Sequence, residues 1–112
     1  MKKIEAIVKR DKLSFVKRGL ADIGFPALTI TEVTGRGKQG SPIEIPGSEK
    51  IYADPLPKVK IEIIAIDSDC EKIVKKIIEK ASTNKIGDGK IFISEISNVY
   101  RVRDGESGEK II

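Results

Sequence analysis

The feature that most constrains this chain is a stretch rich in helix and strand breakers, residues 35–57, which separates two similar patterns. It holds four of the five prolines and four of the ten glycines. No helix and no buried strand tolerates breakers at that density. A structureless loop of roughly 20 residues is rare in a compact domain and is usually a binding loop or a disordered one. We therefore expect a long functional loop here; the alternative is a tolerated surface insertion.

The half that precedes this stretch predicts a strand, a helix and a second strand. Alternating apolar residues indicate strands over residues 3–9 and 28–35. Between them, Asp11 is expected to cap a helix that Gly24 ends. The apolar stripe of this helix consists of Leu13, Val16, Leu20 and Ile23.

The half that follows the stretch repeats this order. Strands are predicted over residues 58–66 and 90–96, and Ser68 with Glu71 predicts a capping box at the start of the intervening helix. The helical stripe consists of Cys70, Ile73, Val74, Ile77, Ile78 and Ala81, and the opposite face, predicted to be solvated, carries Lys75, Lys76 and Lys80.

This order of elements predicts an α+β fold, the ferredoxin-like βαββαβ plait, with the long loop between its second and third strands. Two right-handed crossover units build a four-stranded antiparallel sheet with both helices on one face. We expect one domain over residues 1–112, with a mobile loop at about 37–57 and a C-terminal tail at about 98–112 that is partly disordered. The open sheet face is expected to be covered by other subunits.

Composition excludes several classes of protein. The chain has one cysteine, Cys70, and no histidine, so it cannot contain an internal disulfide framework, a Cys/His zinc site or a histidine-based triad. We interpret Cys70 as a core residue rather than a reactive thiol.

No apolar run approaches the roughly 20 residues of a membrane span, and no signal peptide is evident, so the expected location is the cytoplasm. A net charge of +4 is a weak indication of an anionic ligand.

Two short stretches near the C-terminus could bind an anion. Gly87-Asp88-Gly89-Lys90 precedes a strand, and its glycines would let the backbone approach a phosphate beside the Lys90 charge, although Asp-Gly is also a common plain turn. If the tail is extended, Arg101 and Arg103 leave the same face, where a phosphate would relieve their repulsion. The alternative for this pair is a charged edge strand that deters aggregation.

A third glycine-rich stretch, Gly35-Arg36-Gly37-Lys38-Gln39-Gly40, lies at the base of the long loop and lacks Walker A spacing. The Gln39 side chain could offer a neutral oxygen to a metal or ligand. No cluster of carboxylates indicates acid–base catalysis. Asp67 and Asp69 are interpreted as helix N-terminal charges.

Four segments together resemble the PII family of nitrogen regulatory signal-transduction proteins across nearly the whole chain. They are the C-terminal signature Thr83–Ile93, the strand after the loop Leu56–Ile63, the loop entry Thr31–Val33 with Gly35-x-Gly37-x-Gln39, and the basic pair Arg101-x-Arg103.

The resemblance implies a non-enzymatic homotrimer that binds ATP or ADP in the clefts between subunits and, with Mg-ATP, 2-oxoglutarate. The implied phosphate contacts are Gly87, Asp88, Gly89 and Lys90, with Arg101 and Arg103 from the neighbouring subunit. The implied adenine and ribose contacts are Thr29, Glu62, Ile64 and Thr83. The implied loop-base contacts are Gly35, Gly37 and Lys38, with Gln39 and Lys58 holding 2-oxoglutarate and Gln39 also ligating the Mg²⁺ that bridges the effectors.

The loop at 37–57 would act on a target, either an ammonium transporter or a nitrogen-metabolism enzyme such as nitrogenase, and would meet a membrane only through a transporter. The family's modified tyrosine aligns with Ile51, and Tyr52 is one position later, so uridylylation is not expected. The family's channel-plugging arginine aligns with Gly47, and residues 37–57 contain no arginine.

Two other functions fit the same fold. A basic ferredoxin-like RNA-binding module would stack bases on strand aromatics, of which only Phe92 lies in a predicted core strand. A small phosphate-processing enzyme would need a nucleophile or base that the sequence does not offer. Because a single strand aromatic offers little surface for stacking bases, no nucleic-acid partner is expected.

Overall fold

The structure is a computed structural model that describes residues 1–34, 42–43, 51–52 and 57–112. Its elements are β1 (Lys2–Lys9), α1 (Leu13–Asp22), β2 (Thr29–Thr34), β3 (Pro42–Ile43), β4 (Ile51–Tyr52), β5 (Pro57–Ala65), α2 (Asp67–Ala81) and β6 (Gly89–Glu95). Short 3₁₀ helices cover Arg10–Lys12 and Glu109–Ile111.

Four strands form one sheet in the order β2-β5-β1-β6, and every neighbouring pair is antiparallel. The register places Ile4 opposite both Ile63 and Ile93, so the apolar residues of three strands share a face. This topology confirms the predicted α+β ferredoxin-like plait. The long connection between β2 and β5 contains the two-residue ladder of β3 and β4, with Pro42 opposite Tyr52.

The core lies between the sheet and the two helices. Each fully buried leucine or isoleucine contributes roughly 1.5–3 kcal/mol to stability. Ile78, predicted to belong to the helical stripe, is instead exposed, because α2 turns Ile73 and Ile77 inward and leaves Ile78 at the edge of the stripe. The buried residues are Ile4, Ala6, Val8, Val59, Ile61, Ile63 and Ala65 from the sheet and Val16, Leu20, Cys70, Ile73, Ile77 and Ala81 from the helices.

Neither predicted helix cap is present. The segment after β1 first forms a 3₁₀ turn, so α1 begins at Leu13 and Asp11 makes no capping hydrogen bond. Helix α2 begins at Asp67 without a side-chain cap, so the Ser68–Glu71 capping box is also wrong. The predicted end of α1 is confirmed, because Gly24 has a φ of 93° and its amide donates to the Ala21 carbonyl at 3.0 Å.

The two helices approach each other closely at Gly19 of α1. A β-carbon at this position would lie 2.8 Å from Cγ of Lys80 and 3.1 Å from Cδ of Lys76. The stems of both lysines therefore cover α1 while their ammonium groups reach water. The predicted solvated face is correct for Lys75 and only partly correct for Lys76 and Lys80.

The C-terminal tail folds back on itself. Tyr100 bridges Ser107, and the Arg101 amide donates to the Glu106 carbonyl at 2.7 Å, which closes a small hairpin. Among the residues that the structure describes, no helix combines the length and the apolar character that a membrane crossing requires.

Candidate functional site

The turn that joins α2 to β6 is closed by a pair of hydrogen bonds between its two ends. The amide of Thr83 donates to Oδ2 of Asp88 at 2.7 Å, and the Thr83 hydroxyl donates to Oδ1 at 2.5 Å. Asn84 and Gly87 adopt positive φ angles of 60° and 98°, conformations that asparagine and glycine tolerate best. The shape of this turn is therefore fixed by side chains of its own sequence.

The Asp88 carboxylate is consequently held in its ionised form. Hydrogen bonds from the Thr83 hydroxyl and the Thr83 amide, assisted by the Lys9 charge 3.5 Å away, lower the pKa of Asp88 to about 2. The structure thus gives Asp88 a role in shaping the turn.

Gly89 brings the turn against the first strand. Its φ is 103°, and a β-carbon at this position would lie 1.7 Å from the Ile7 carbonyl oxygen. Only glycine permits this approach. The register that follows pairs Val8 with Gly89 and Ile7 with Lys90, so Lys90 projects from the sheet face that the helices leave open.

Lysines gather at this end of the sheet. Lys9 and Lys58 are directly opposite each other on β1 and β5, and Lys90 lies on β6 two positions along the ladder from Lys9. The Lys58 side chain reaches the turn and donates from Nζ to the Gly87 carbonyl. Like charges placed directly opposite each other destabilise a sheet, so this arrangement favours an anion at this place.

Lys58 is unusual among these lysines because it is only 8% exposed. Burial and the Lys9 charge lower the pKa of Lys58, and the Asp88 carboxylate partly offsets them. An anionic ligand beside Lys58 would supply the further negative charge that this buried ammonium group lacks.

A second group of predicted residues meets at the other end of β5. Thr29 and Glu62 are opposite each other on β2 and β5, and with Ile64 they line a shallow depression of about 340 Å³. Glu62 also lies 3.5 Å from the Lys3 ammonium group. Thr83, predicted to belong to this group, is instead bonded into the Asp88 turn.

The two groups are separated within one protomer. Glu62 follows Lys58 by four positions on an extended strand, which corresponds to about 13 Å at roughly 3.3 Å per residue. A nucleotide contacting both groups in a single chain would have to span that distance along the sheet.

The two arginines of the tail are not on an extended strand. Residues 102–104 form a turn, so the predicted common face of Arg101 and Arg103 is absent. The Arg101 guanidinium instead contacts Asp104 at 2.8 Å, and Arg103 lies 3.8 Å from the same carboxylate. Among the described residues, no ion pair joins either arginine to the Gly87–Lys90 turn.

Other predicted contacts lie outside the described residues. These are Gly35, Gly37, Lys38 and Gln39, together with the predicted metal ligation by Gln39 and most of the 37–57 loop. Within residues 1–34 and 57–112, no group of three or more Asp, Glu, Cys or His side chains could hold a metal ion.

Sequence reasoning missed Lys9 and Asp104. Lys9 joins the cluster through strand register, which a single sequence does not reveal. Asp104 precedes Gly105, and this Asp-Gly pair is a turn signal that could have predicted the tail hairpin.

The fold and the site define a class: a ferredoxin-like α+β domain with a lysine-rich glycine turn at one end of its sheet. Comparison with known families gives a match to the model described as "Nitrogen regulatory protein P-II" over residues 1–106. The chain belongs to this P-II family.

Curated relatives match along all or nearly all of their length. Nitrogen regulatory protein P-II of Pasteurella multocida is 45% identical over 112 residues, all of both chains. Nitrogen regulatory protein P-II 1 of Escherichia coli K12 is also 45% identical over 112 residues and the full length of both chains. Nitrogen regulatory protein P-II 2 of Methanothermobacter thermautotrophicus is 46% identical over 112 residues, which cover 100% of this chain and 97% of the relative.

Proposed function

We propose that this protein is a nitrogen-status sensor that binds ATP or ADP and, together with Mg-ATP, 2-oxoglutarate. It acts as a homotrimeric regulator and not as an enzyme, and it controls a target protein through residues 37–57. The expected location is the cytoplasm, where both metabolites are produced and consumed.

The observation that carries this proposal is the concentration of cations around a preformed glycine turn. Lys9, Lys58 and Lys90 surround Gly87–Gly89, and the turn is closed by the Thr83–Asp88 hydrogen bonds. Main-chain amides in a turn of this kind can cradle phosphate oxygens, and lysines add positive point charges. A nucleotide phosphate tail fits this donor set.

The separation of the two residue groups supports a trimer. Thr29, Glu62 and Ile64 of one protomer would hold the base and ribose, while the Gly87–Lys90 turn of a neighbour would hold the phosphates. Assembly would also cover the open sheet face, on which Phe92 is 51% exposed. A domain of this size gains stability by such assembly.

The second effector would bind next to the phosphates. ATP and 2-oxoglutarate are both anions, so adjacent binding needs cations between them. Lys58 would pair with 2-oxoglutarate, and Gln39 would ligate the Mg²⁺ that neutralises the phosphate charge. Gly35, Gly37 and Lys38 would complete this site at the base of the loop.

The output would be a shift in the population of loop conformations. Effectors that contact the loop base increase the population of the loop conformation that they bind more tightly. ADP lacks the γ-phosphate, so it would favour another conformation than ATP with 2-oxoglutarate. The target would be an ammonium transporter or a nitrogen-metabolism enzyme such as nitrogenase.

Calorimetry on the purified protein tests the proposal. We expect ATP to bind in the micromolar range, and 2-oxoglutarate to release heat only when Mg-ATP is present. Chelation of Mg²⁺ should abolish the 2-oxoglutarate signal while ATP binding persists. Binding of 2-oxoglutarate without nucleotide, or rapid saturable hydrolysis of ATP, would contradict the proposal.

The exposed Phe92 ring on the open sheet face favours one other candidate, the RNA-binding module, because such domains stack bases on aromatic residues of the sheet. The two candidates differ in assembly. A trimer would cover this ring, whereas an RNA-binding module would keep it accessible and would shift a single-stranded RNA probe at physiological salt.

A further inference from the structure

The Arg101 guanidinium is already occupied by carboxylates of its own turn. Its Nε lies 3.0 and 3.2 Å from the two oxygens of Asp104. Its Nη2 lies 2.8 Å from Oδ2 of Asp104 and 3.1 Å from Oε2 of Glu106. The Nε–Nη2 edge of the guanidinium, one of the two edges that can bind an anion in a bidentate manner, is therefore filled.

Asp104 is itself held in place for this contact. The Glu106 amide donates to its Oδ1 at 3.1 Å, and the hairpin hydrogen bond from the Gly105 amide to the Arg101 carbonyl measures 2.8 Å. Arg103 approaches the same carboxylate at 3.8 Å. The hydrogen bond from Arg101, followed by that from the Glu106 amide, lowers the pKa of Asp104, so it is ionised at neutral pH.

We propose that Asp104 is an internal competitor that a nucleotide phosphate must displace from Arg101 and Arg103, so that this residue sets nucleotide affinity. A carboxylate and a phosphate match the same guanidinium geometry and cannot occupy one edge together. The inference rests on the proposed function, together with the expectation from the family resemblance that Arg101 and Arg103 of a neighbouring subunit reach the nucleotide phosphates. Asp104 is thus an affinity-determining residue that acts through the arginines.

The competition predicts an affinity gain when the charge of Asp104 is removed. Asp104→Asn keeps the size of the side chain and should tighten ATP binding about 2- to 5-fold, the range expected from the worth of exposed ion pairs. Glu109→Gln is the matched control, because it changes net charge equally in the same tail and Glu109 forms no ion pair among the described residues. Its ATP affinity should stay within measurement error of the wild type.

A double-mutant cycle separates competition from an indirect effect. In an Arg101→Gln background, most of the gain from Asp104→Asn should disappear, because the displaced contact no longer exists. An equal gain in both backgrounds would overturn the inference, as would unchanged or weaker ATP binding by Asp104→Asn alone. If the wild-type protein binds no ATP, the proposed function fails and the inference fails with it. If the wild type binds ATP and Asp104→Asn does not bind it more tightly, the inference alone fails.

Discussion

Lys9 and Lys58 lie directly opposite each other on neighbouring antiparallel strands, on the sheet face that the helices leave open. Two lysines in this position repel, and the Lys9 charge contributes to the lowered pKa of Lys58. Asp88 approaches Lys9 at 3.5 Å and compensates for part of this charge. Anions bound at the proposed phosphate and 2-oxoglutarate sites would offset the remaining repulsion between these two lysines.

Substitution of the buried Lys58 should weaken 2-oxoglutarate binding while it leaves the stability of the fold almost unchanged. Lys58→Met deletes a charge that is costly to bury, and the exposed Gly87 carbonyl that loses its donor can turn to water, so unfolding free energy should change by less than about 1 kcal/mol. Binding of 2-oxoglutarate should fall at least tenfold, because about 1.4 kcal/mol of lost interaction is sufficient. Urea denaturation and calorimetry provide the two measurements.

The matched control is Lys75→Met, which makes the same substitution on a lysine of α2 that is exposed and paired with Glu71. It should leave 2-oxoglutarate binding unchanged. Equal loss in both variants would mean that the effect is general electrostatics and not a contact of Lys58.

The Lys58 charge should also give stability a specific pH dependence. Because the native pKa is lowered, the cost of burying the ammonium group is fully present below that pKa and disappears as pH rises toward 10.5, the value without burial. Wild-type stability should therefore rise relative to Lys58→Met across this alkaline window. Parallel unfolding curves for the two proteins there would contradict the burial of a charged lysine.

The Thr83–Asp88 contact should make the turn sensitive to loss of one hydroxyl. Thr83→Val keeps the shape of the side chain and the hydrogen bond from the main-chain amide to Asp88. It removes only the 2.5 Å hydrogen bond from the hydroxyl. We expect a loss of about 1.5–3 kcal/mol in unfolding free energy, the range for a hydrogen bond to a charged group. Thr31→Val, at an exposed position of β2, is the control and should cost far less.

The contact between Thr83 and Asp88 should persist until the pH is well below the usual pKa of an aspartate. The pKa of Asp88 is lowered to about 2, so its stabilising contribution is complete above the unfolded-state value near 3.8 and is lost as pH falls toward 2. Carbon NMR of the Asp88 carboxyl group should show a midpoint near 2 in the native protein. A midpoint near 4, or one that Thr83→Val fails to raise, would contradict the hydrogen-bonding account.

Gly89 should tolerate no side chain. Gly89→Ala places a β-carbon 1.7 Å from a main-chain oxygen, which only displacement of β6 from β1 can relieve. Gly105→Ala is the informative comparison, because Gly105 also has a positive φ, 73°, but has open space around it. We expect about 1–2 kcal/mol of destabilisation for Gly105→Ala from backbone strain alone and a much larger loss for Gly89→Ala. Similar thermal shifts in the two variants would contradict the register at β1–β6.

The sequence predicted the elements of the fold better than their ends. Apolar periodicity located both helices and all four sheet strands within a few residues, because burial on one face imposes that period directly. The capping predictions at Asp11 and Ser68 failed because cap formation depends on the backbone angles of the few residues before the helix. The exposure of Ile78 depended on how α2 is rotated against the sheet, which neighbouring strands determine.

In the candidate site, too, local features could be predicted from the sequence, whereas contacts between distant residues could not. The glycine turn was visible in the sequence because Gly87 and Gly89 meet a local conformational need. The contribution of Lys9 was not visible, because it results from pairing with residues about 50 and 80 positions away. The expectation of an extended Arg101 and Arg103 pair was wrong, because the chain turns at residues 102–104 and Gly105 adopts a positive φ of 73°.

The most direct measurement of the central claim is an ATP titration of the isotope-labelled protein, monitored through the main-chain amide signals of Gly87, Asp88, Gly89 and Lys90. The account predicts that these four signals shift together and saturate at the calorimetric stoichiometry. It also predicts that Lys75→Met leaves this response intact. If ATP binds while these amides stay unchanged and signals elsewhere move, the phosphate tail is not held by this turn.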